Sequence, residues 1–116
     1  NLKNIWITCG SEPVKWDLII DFVKKGCSFM VNWGMTEIGP CAINTIFKDL
    51  EKVYEYKKRA IKGTLMGDKT YCDTKIENKT LHVKGNISVY ESKWFDTKDL
   101  VKMNKNNDFY IQGRSK

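Results

Sequence analysis

The chain is poor in proline, with only Pro13 and Pro40, and its four cysteines are scattered over 116 residues. So few prolines, together with the lack of any repeat or biased tract, exclude a low-complexity linker. Cys9, Cys27, Cys41 and Cys72 form neither a C-x-x-C metal pair nor a disulfide scaffold, so they read as small, reduced, buried residues and zinc is not expected. Nor does any apolar run approach the ~18 residues of a membrane span, and the N-terminal sequence has no signal-peptide pattern. A cytoplasmic protein is therefore expected, in which the sequons Asn78-Lys79-Thr80 and Asn86-Ile87-Ser88 carry no meaning.

At 41% hydrophobic, the chain has enough apolar residues for one compact domain or a piece of a larger one. Twenty Lys+Arg against fourteen Asp+Glu give a net charge of +6. The one basic cluster is Lys57-Lys58-Arg59 with Lys62, and no arginine-rich run or nucleic-acid module surrounds it. The charge reads as a solvated exterior, and a nucleic-acid partner is not expected.

Asn4 to Thr8 is a short β-branched run that stops in the turn Cys9-Gly10-Ser11-Glu12-Pro13. Val14, Leu18, Ile19, Phe22 and Val23 then recur at helical spacing, with Ser11 as the expected cap, Pro13 in the first turn and Gly26 at the end. Cys27 to Val31 reads as a second buried strand. Strand, helix and strand within ~30 residues predict a βαβ unit with parallel strands. Two polar loops, Gly10 to Pro13 and Trp33 to Gly39, would then leave neighbouring carboxyl ends, where open α/β sheets bind ligands.

The second of these is the richer. Within Val31 to Pro40, Trp33 offers a flat face for a planar base and Gly34 permits close backbone approach, while Thr36 can bond a phosphate oxygen and Glu37 can hold Mg²⁺. The plainer alternative is a tight turn leaving a buried strand.

Beyond Pro40, Ile43 to Ala60 is compatible with helix or strand, since Phe47, Leu50, Val53 and Tyr54 fit a helical period while Val53-Tyr54-Glu55-Tyr56 also suits a strand. From Ile61 the texture is β. Tyr71 to Ile76 and Thr80 to Lys84 flank the turn Glu77-Asn78-Lys79, and Ile87 to Tyr90 follows; Trp94 to Val101 and Phe109 to Gly113 flank Asn104 to Asp108. The fold class expected is α/β: a βαβ end of a parallel sheet over residues 1–60, then a small antiparallel β-barrel-like subdomain over 61–116.

Gly10-Ser11-Glu12-Pro13, Trp33-Gly34-Met35-Thr36-Glu37, Leu81-His82-Val83-Lys84-Gly85, Trp94 to Leu100 and Gly113-Arg114-Ser115-Lys116 follow one another in an order and spacing that resemble the adenylate-forming superfamily. That family includes acyl-CoA synthetases, luciferases and peptide-synthetase adenylation domains. The resemblance implies that ATP and a carboxylic acid give an acyl-adenylate and pyrophosphate, followed by transfer to a thiol such as coenzyme A. It also implies roles. Gly10, Ser11 and Glu12 would line the adenine with Trp33 stacked on it and Gly34 beside it; Thr36 would touch the α-phosphate and Glu37 hold Mg²⁺. Asp99 would accept both ribose hydroxyls, Arg114 would lie near ribose and phosphate, and Lys116 would be the hinge. On the residues alone, Arg114 has the alternative of a surface pair with Asp108, and His82 reads as an ordinary strand residue.

The chain also departs from the family. Thr97-Lys98-Asp99-Leu100 stands where Thr-Gly-Asp-Leu is usual, so a long cation replaces the glycine of the ribose loop, with the alternative that Lys98 reaches a phosphate. The segment between Gly85 and Trp94 is short. Neither the Ser/Thr/Gly-rich phosphate loop nor the small lysine-bearing C-terminal domain is present. The expectation is a fragment, inactive alone, whose partners are the rest of the same enzyme, a carboxylic acid and a thiol acceptor. The alternative is a non-catalytic binding or scaffolding module that kept the fold.

Overall fold

The computed structural model describes residues 5–9, 15–35, 39–84 and 94–114. Strand β1 (Trp6–Cys9), helix α1 (Trp16–Lys24) and strand β2 (Ser28–Met35) form the expected unit, with β1 and β2 parallel in the register Trp6 to Ser28 through Cys9 to Val31. The helix buries Ile19 and Val23 and ends where Gly26, at φ 95°, takes a conformation that a Cβ disfavours. The amides of Gly26 and Cys27 return to the carbonyls of Val23 and Phe22, closing the last turn. Its N-cap is Lys15, with no side-chain cap, rather than Ser11. Ser11 and Pro13 lie outside the described residues.

Trp33 and Gly34 belong to a strand, not to a loop. β2 continues to Met35 and pairs with the antiparallel strand β3 (Gly39–Phe47), from Phe29 opposite Phe47 to Met35 opposite Gly39; Thr36 to Ile38 lie outside the described residues. Sequence alternation explains this: Phe29, Val31 and Trp33 are buried while Met30, Asn32 and Gly34 are half-buried.

The ambiguous segment divides. β3 ends at Phe47 and helix α2 (Leu50–Lys58) follows, its start fixed by Asp49, whose carboxylate accepts the Lys52 amide at 2.8 Å. Burial of Val53 and Tyr56, with the Tyr56 ring edge-on to Phe47 at 5.2 Å, selects helix over strand.

Next come β4 (Thr64–Gly67), β5 (Lys69–Thr70), β6 (Asp73–Glu77), β7 (Thr80–Lys84), β8 (Phe95–Met103) and β9 (Phe109–Arg114). The antiparallel texture expected from Ile61 onward is borne out as a sheet rather than a closed barrel, and the strand expected at Ile87 to Tyr90 lies outside the described residues. Among the described residues the antiparallel sheet is open, in the order β4-β9-β8-β7-β6, with edge strands β4 and β6 unpaired to each other. The reason lies in β5, which separates them in the chain and is captured by the first sheet through Ile43 opposite Thr70 and Asn44 opposite Lys69. Among the described residues the fold is thus mixed α/β, with two helices and two open sheets. Gly67, at φ 140°, lets the crossing occur, because a Cβ there would strike the Asn44 backbone.

Two hydrophobic clusters hold the sheets together. One gathers Ile19, Val23, Phe29, Val31, Phe47, Val53 and Tyr56 beneath the helices. The other gathers Trp33, Ile43, Met66, Leu81, Val83, Val101 and Phe109 between the sheets. β2 feeds both, Phe29 and Val31 into the first and Trp33 into the second, so the carboxyl end of β2 lies against the second sheet. Burial of each such side chain stabilises by ~1.5–3 kcal/mol.

Candidate functional site

Where β2 meets β8, a buried carboxylate is held from two sides. Asp99 is 8% exposed. Its Oδ2 accepts the Trp33 indole Nε1–H at 3.2 Å, and its Oδ1 accepts Arg114 Nη1–H at 2.9 Å. Arg114 arrives from β9, directly opposite Asp99 in the register. Its exposed guanidinium also donates to the Thr97 carbonyl at 3.3 Å. A carboxylate offers about four lone-pair sites, and among the described residues these contacts occupy one on each oxygen. Each oxygen can accept another hydrogen bond.

The backbone that carries Asp99 is bent. Lys98 has φ 65°, the left-handed region that costs a residue with a Cβ ~1–2 kcal/mol. Two neighbouring side chains brace the bend. Asp96 Oδ1 accepts the Lys98 amide at 2.9 Å, and Thr97 Oγ1 accepts the Asp99 amide at 3.2 Å while donating to the Leu81 carbonyl at 2.9 Å. On the other side of Asp96, Oδ2 lies 3.5 Å from Lys98 Nζ and 3.8 Å from His82 Nε2. The Lys98 amide, chiefly, with the His82 and Lys98 charges, holds the Asp96 carboxyl below the usual carboxylate range. Thus Lys98 closes back on Asp96.

Of the residues selected from sequence, the structure brings Trp33, Asp99 and Arg114 together and sets Gly34 beside Trp33 on β2. Gly10, Ser11, Glu12, Thr36, Glu37 and Lys116 lie outside the described residues. Trp33 is 6% exposed, its ring packed within the inter-sheet cluster. Arg114 does not pair with Asp108, whose carboxylate takes a two-point contact from Arg59, Nε at 2.7 Å and Nη2 at 2.9 Å.

Sequence reasoning gave Asp96 no role of its own within the Trp94 to Leu100 motif and read His82 as an ordinary strand residue, which its place on β7 bears out. Asp96 carried a readable signal, an aspartate two residues before the amide it caps, which is the Asx-turn pattern. His82 carried none, because its approach to Asp96 depends on pairing between β7 and β8.

Among solved structures, the fold is similar to o-succinylbenzoate CoA synthetase (MenE) from Bacillus subtilis in complex with the acyl-adenylate intermediate OSB-AMP, with TM-score 0.71 and 20% identity, covering 94% of this chain and 32% of that one. It is similar as well to wild-type E. coli MenE with a bound analogue of OSB-AMS, with TM-score 0.68 and 17% identity over 94% of this chain and 25% of that one. Coronafacic acid ligase from Pectobacterium brasiliense matches with TM-score 0.60 and 20% identity over 92% and 23%. The chain spans between about a quarter and a third of the length of these proteins. No protein-family model and no curated protein matches the sequence. Over this segment the chain therefore has the fold of adenylate-forming acyl-CoA synthetases.

Proposed function

We propose that this chain supplies the ribose-holding part of the nucleotide site in an AMP-forming acid-thiol ligase. The observation that carries the reading is the Asp99 carboxylate, fixed through one oxygen by Trp33 and through the other by Arg114, with acceptor capacity left on both. An ionised carboxylate so placed suits a pair of ribose hydroxyls, and hydrogen bonds to it are charge-assisted. Arg114, with an exposed guanidinium, brings positive charge to the same rim. For Trp33, the packing of its ring favours orienting Asp99 and closing one wall of the site.

In the reaction proposed, a carboxylate oxygen of the acid attacks the α-phosphorus of ATP, the bond to the β-phosphate breaks and pyrophosphate leaves. The thiol then attacks the acyl carbon and AMP departs. By resemblance, Gly10, Ser11 and Glu12 belong to the adenine side, Thr36 to the α-phosphate and Glu37 to Mg²⁺. The ion would neutralise charge on the triphosphate. Within this reading residues 1–60 form the end of a nucleotide-binding subdomain and 61–116 the following β subdomain, and Lys116, two after Arg114, is the hinge.

Carboxylate-dependent ATP–pyrophosphate exchange by the full-length protein tests the reading. Exchange that disappears in Glu37→Gln with folding intact supports it. Binding of AMP without exchange under any carboxylate panel would replace it with a non-catalytic nucleotide-binding module.

A further inference from the structure

We propose that Asp96 is a positioning residue for Asp99, acting by holding Lys98 in its left-handed conformation. The importance of Asp99 rests on the ribose reading above; the mechanical link between Asp96 and Asp99 does not. Lys98 sits at φ 65° on the residue immediately before Asp99. If Lys98 relaxes to an ordinary strand conformation, the side-chain direction of the next residue changes, and the Asp99 carboxylate leaves Trp33 and Arg114. Something must therefore hold the bend.

Thr97 does part of this, but its hydroxyl is bonded to the Asp99 amide and the Leu81 carbonyl, leaving the Lys98 amide to others. That amide is taken by Asp96 Oδ1 at 2.9 Å. A side-chain oxygen accepting the amide two residues on is the contact by which Asx turns fix a bend. The side chain of Asp96 is one-third exposed, so it contributes little to the core, and its Oδ2 is directed to Lys98 Nζ and His82 Nε2. Asp96 thereby acts through the backbone of Lys98 and not as a partner of Asp99.

A competing account makes Asp96 only a surface counter-charge for Lys98 and His82, and such pairs contribute little. Asp96→Asn separates the two, because it keeps the acceptor oxygen and removes the charge. Lys98→Gly separates them again, because glycine adopts positive φ without a brace. The readouts are AMP affinity and, without ligand, the indole N–H resonance of Trp33, which reports its bond to Asp99 and is assigned with Trp33→Phe. Asp96→Ala is expected to shift that resonance and weaken AMP binding about three- to tenfold. Asp96→Asn should stay near wild type, and Asp96→Ala combined with Lys98→Gly should regain both the resonance and the affinity of Lys98→Gly alone. An unmoved Trp33 resonance in Asp96→Ala, or no recovery in the double variant, overturns the positioning role. If wild-type protein binds no AMP, the ribose reading falls, and the indole measurement still decides the role of Asp96.

Discussion

Trp33 and Asp99, separated by 66 positions in sequence, are joined by a buried hydrogen bond at 3.2 Å that ties the β2 end of the first sheet to the bend in the second. A buried indole N–H needs an acceptor, and a buried carboxylate needs donors. Each meets the other's requirement, so one contact links sheet packing to site geometry.

Trp33→Phe should therefore loosen the carboxylate as well as the core. It keeps most of the ring but removes the only N–H that reaches Oδ2 among the described residues. A hydrogen bond to a charged acceptor contributes ~1.5–3 kcal/mol, and a stability loss in that range is expected by urea unfolding. Asp99→Asn should instead act chiefly on ATP affinity, weakening it by a similar ~1.5–3 kcal/mol in titration calorimetry. Unchanged ATP affinity in Asp99→Asn would show that the bend does not serve the ribose.

Lys98→Gly is expected to stabilise the fold. Glycine removes the left-handed penalty at φ 65° but adds freedom to the unfolded chain, so the net gain should be about 0.5–1 kcal/mol, or a few degrees in thermal unfolding. A lower Tm would mean that the Lys98 ammonium, 3.5 Å from Asp96, contributes more than its exposure suggests.

Much of this architecture is legible in the residues. The helical period from Leu18 to Val23 and the glycine after it locate α1, and the polar turn at Asn78-Lys79, where both residues have positive φ, locates the β6–β7 hairpin. What is not legible depends on contacts between distant segments. Val53 to Tyr56 fits either period, and only packing against Phe47 settles it. Gly34 resembles a turn residue, but it lies within β2, where the pairing shifts register between Trp33 and Met35. Nor does local pattern announce that a two-residue strand, β5, will join the first sheet and leave the second open. The motif around Asp99 was readable as chemistry and the Asx-turn at Asp96 as local pattern, whereas the approach of His82 and the wall at Trp33 required contacts between distant strands.

The pair Arg59–Asp108 is predicted to be among the costliest contacts to break. Asp108 is fully buried and also accepts from Asn104 Nδ2 at 2.8 Å, so the α2 end is fastened to the β8–β9 turn. Removing one partner of a buried pair strands the other charge. Asp108→Ala should cost ~3–5 kcal/mol in chemical denaturation, and Arg59→Ala a comparable amount. A double variant much less destabilised than the sum of the two singles would confirm the coupling.

Tyr110 offers the opposite case. It is 1% exposed and its Oη has no hydrogen-bond partner among the described residues, and burial, with Asp108 nearby, pushes its pKa up to about 12. Tyr110→Phe removes an unsatisfied hydroxyl while keeping the ring. A gain of ~1 kcal/mol is expected, and a loss instead would show that the hydroxyl has a partner in solution.

Tyr56→Phe should change the acid limb of stability. Tyr56 Oη donates to Asp68 Oδ2 at 2.6 Å, and Thr45 Oγ1 donates to the other oxygen. Partial burial alone would raise the Asp68 carboxyl, but the bonds from Thr45 and Tyr56, its own amide and the Lys52 charge outweigh it and hold it below the usual carboxylate range. A carboxyl lowered on folding adds stability that is fully present above its unfolded pKa and is lost as pH falls through the folded value. The contribution therefore persists at neutral pH and fades below about pH 4. Because the Asp68 carboxylate is only partly buried on a residue that reaches solvent, loss of the Tyr56 bond should cost only ~1 kcal/mol at pH 7. The gap between wild type and Tyr56→Phe should narrow as pH is lowered from 5 toward 2, followed by urea unfolding at about half-unit steps. A gap that is constant across that range would place the contribution of Tyr56 in its packing against Phe47 and the Arg59 guanidinium, 3.9 Å from its ring centre, rather than in its bond to Asp68.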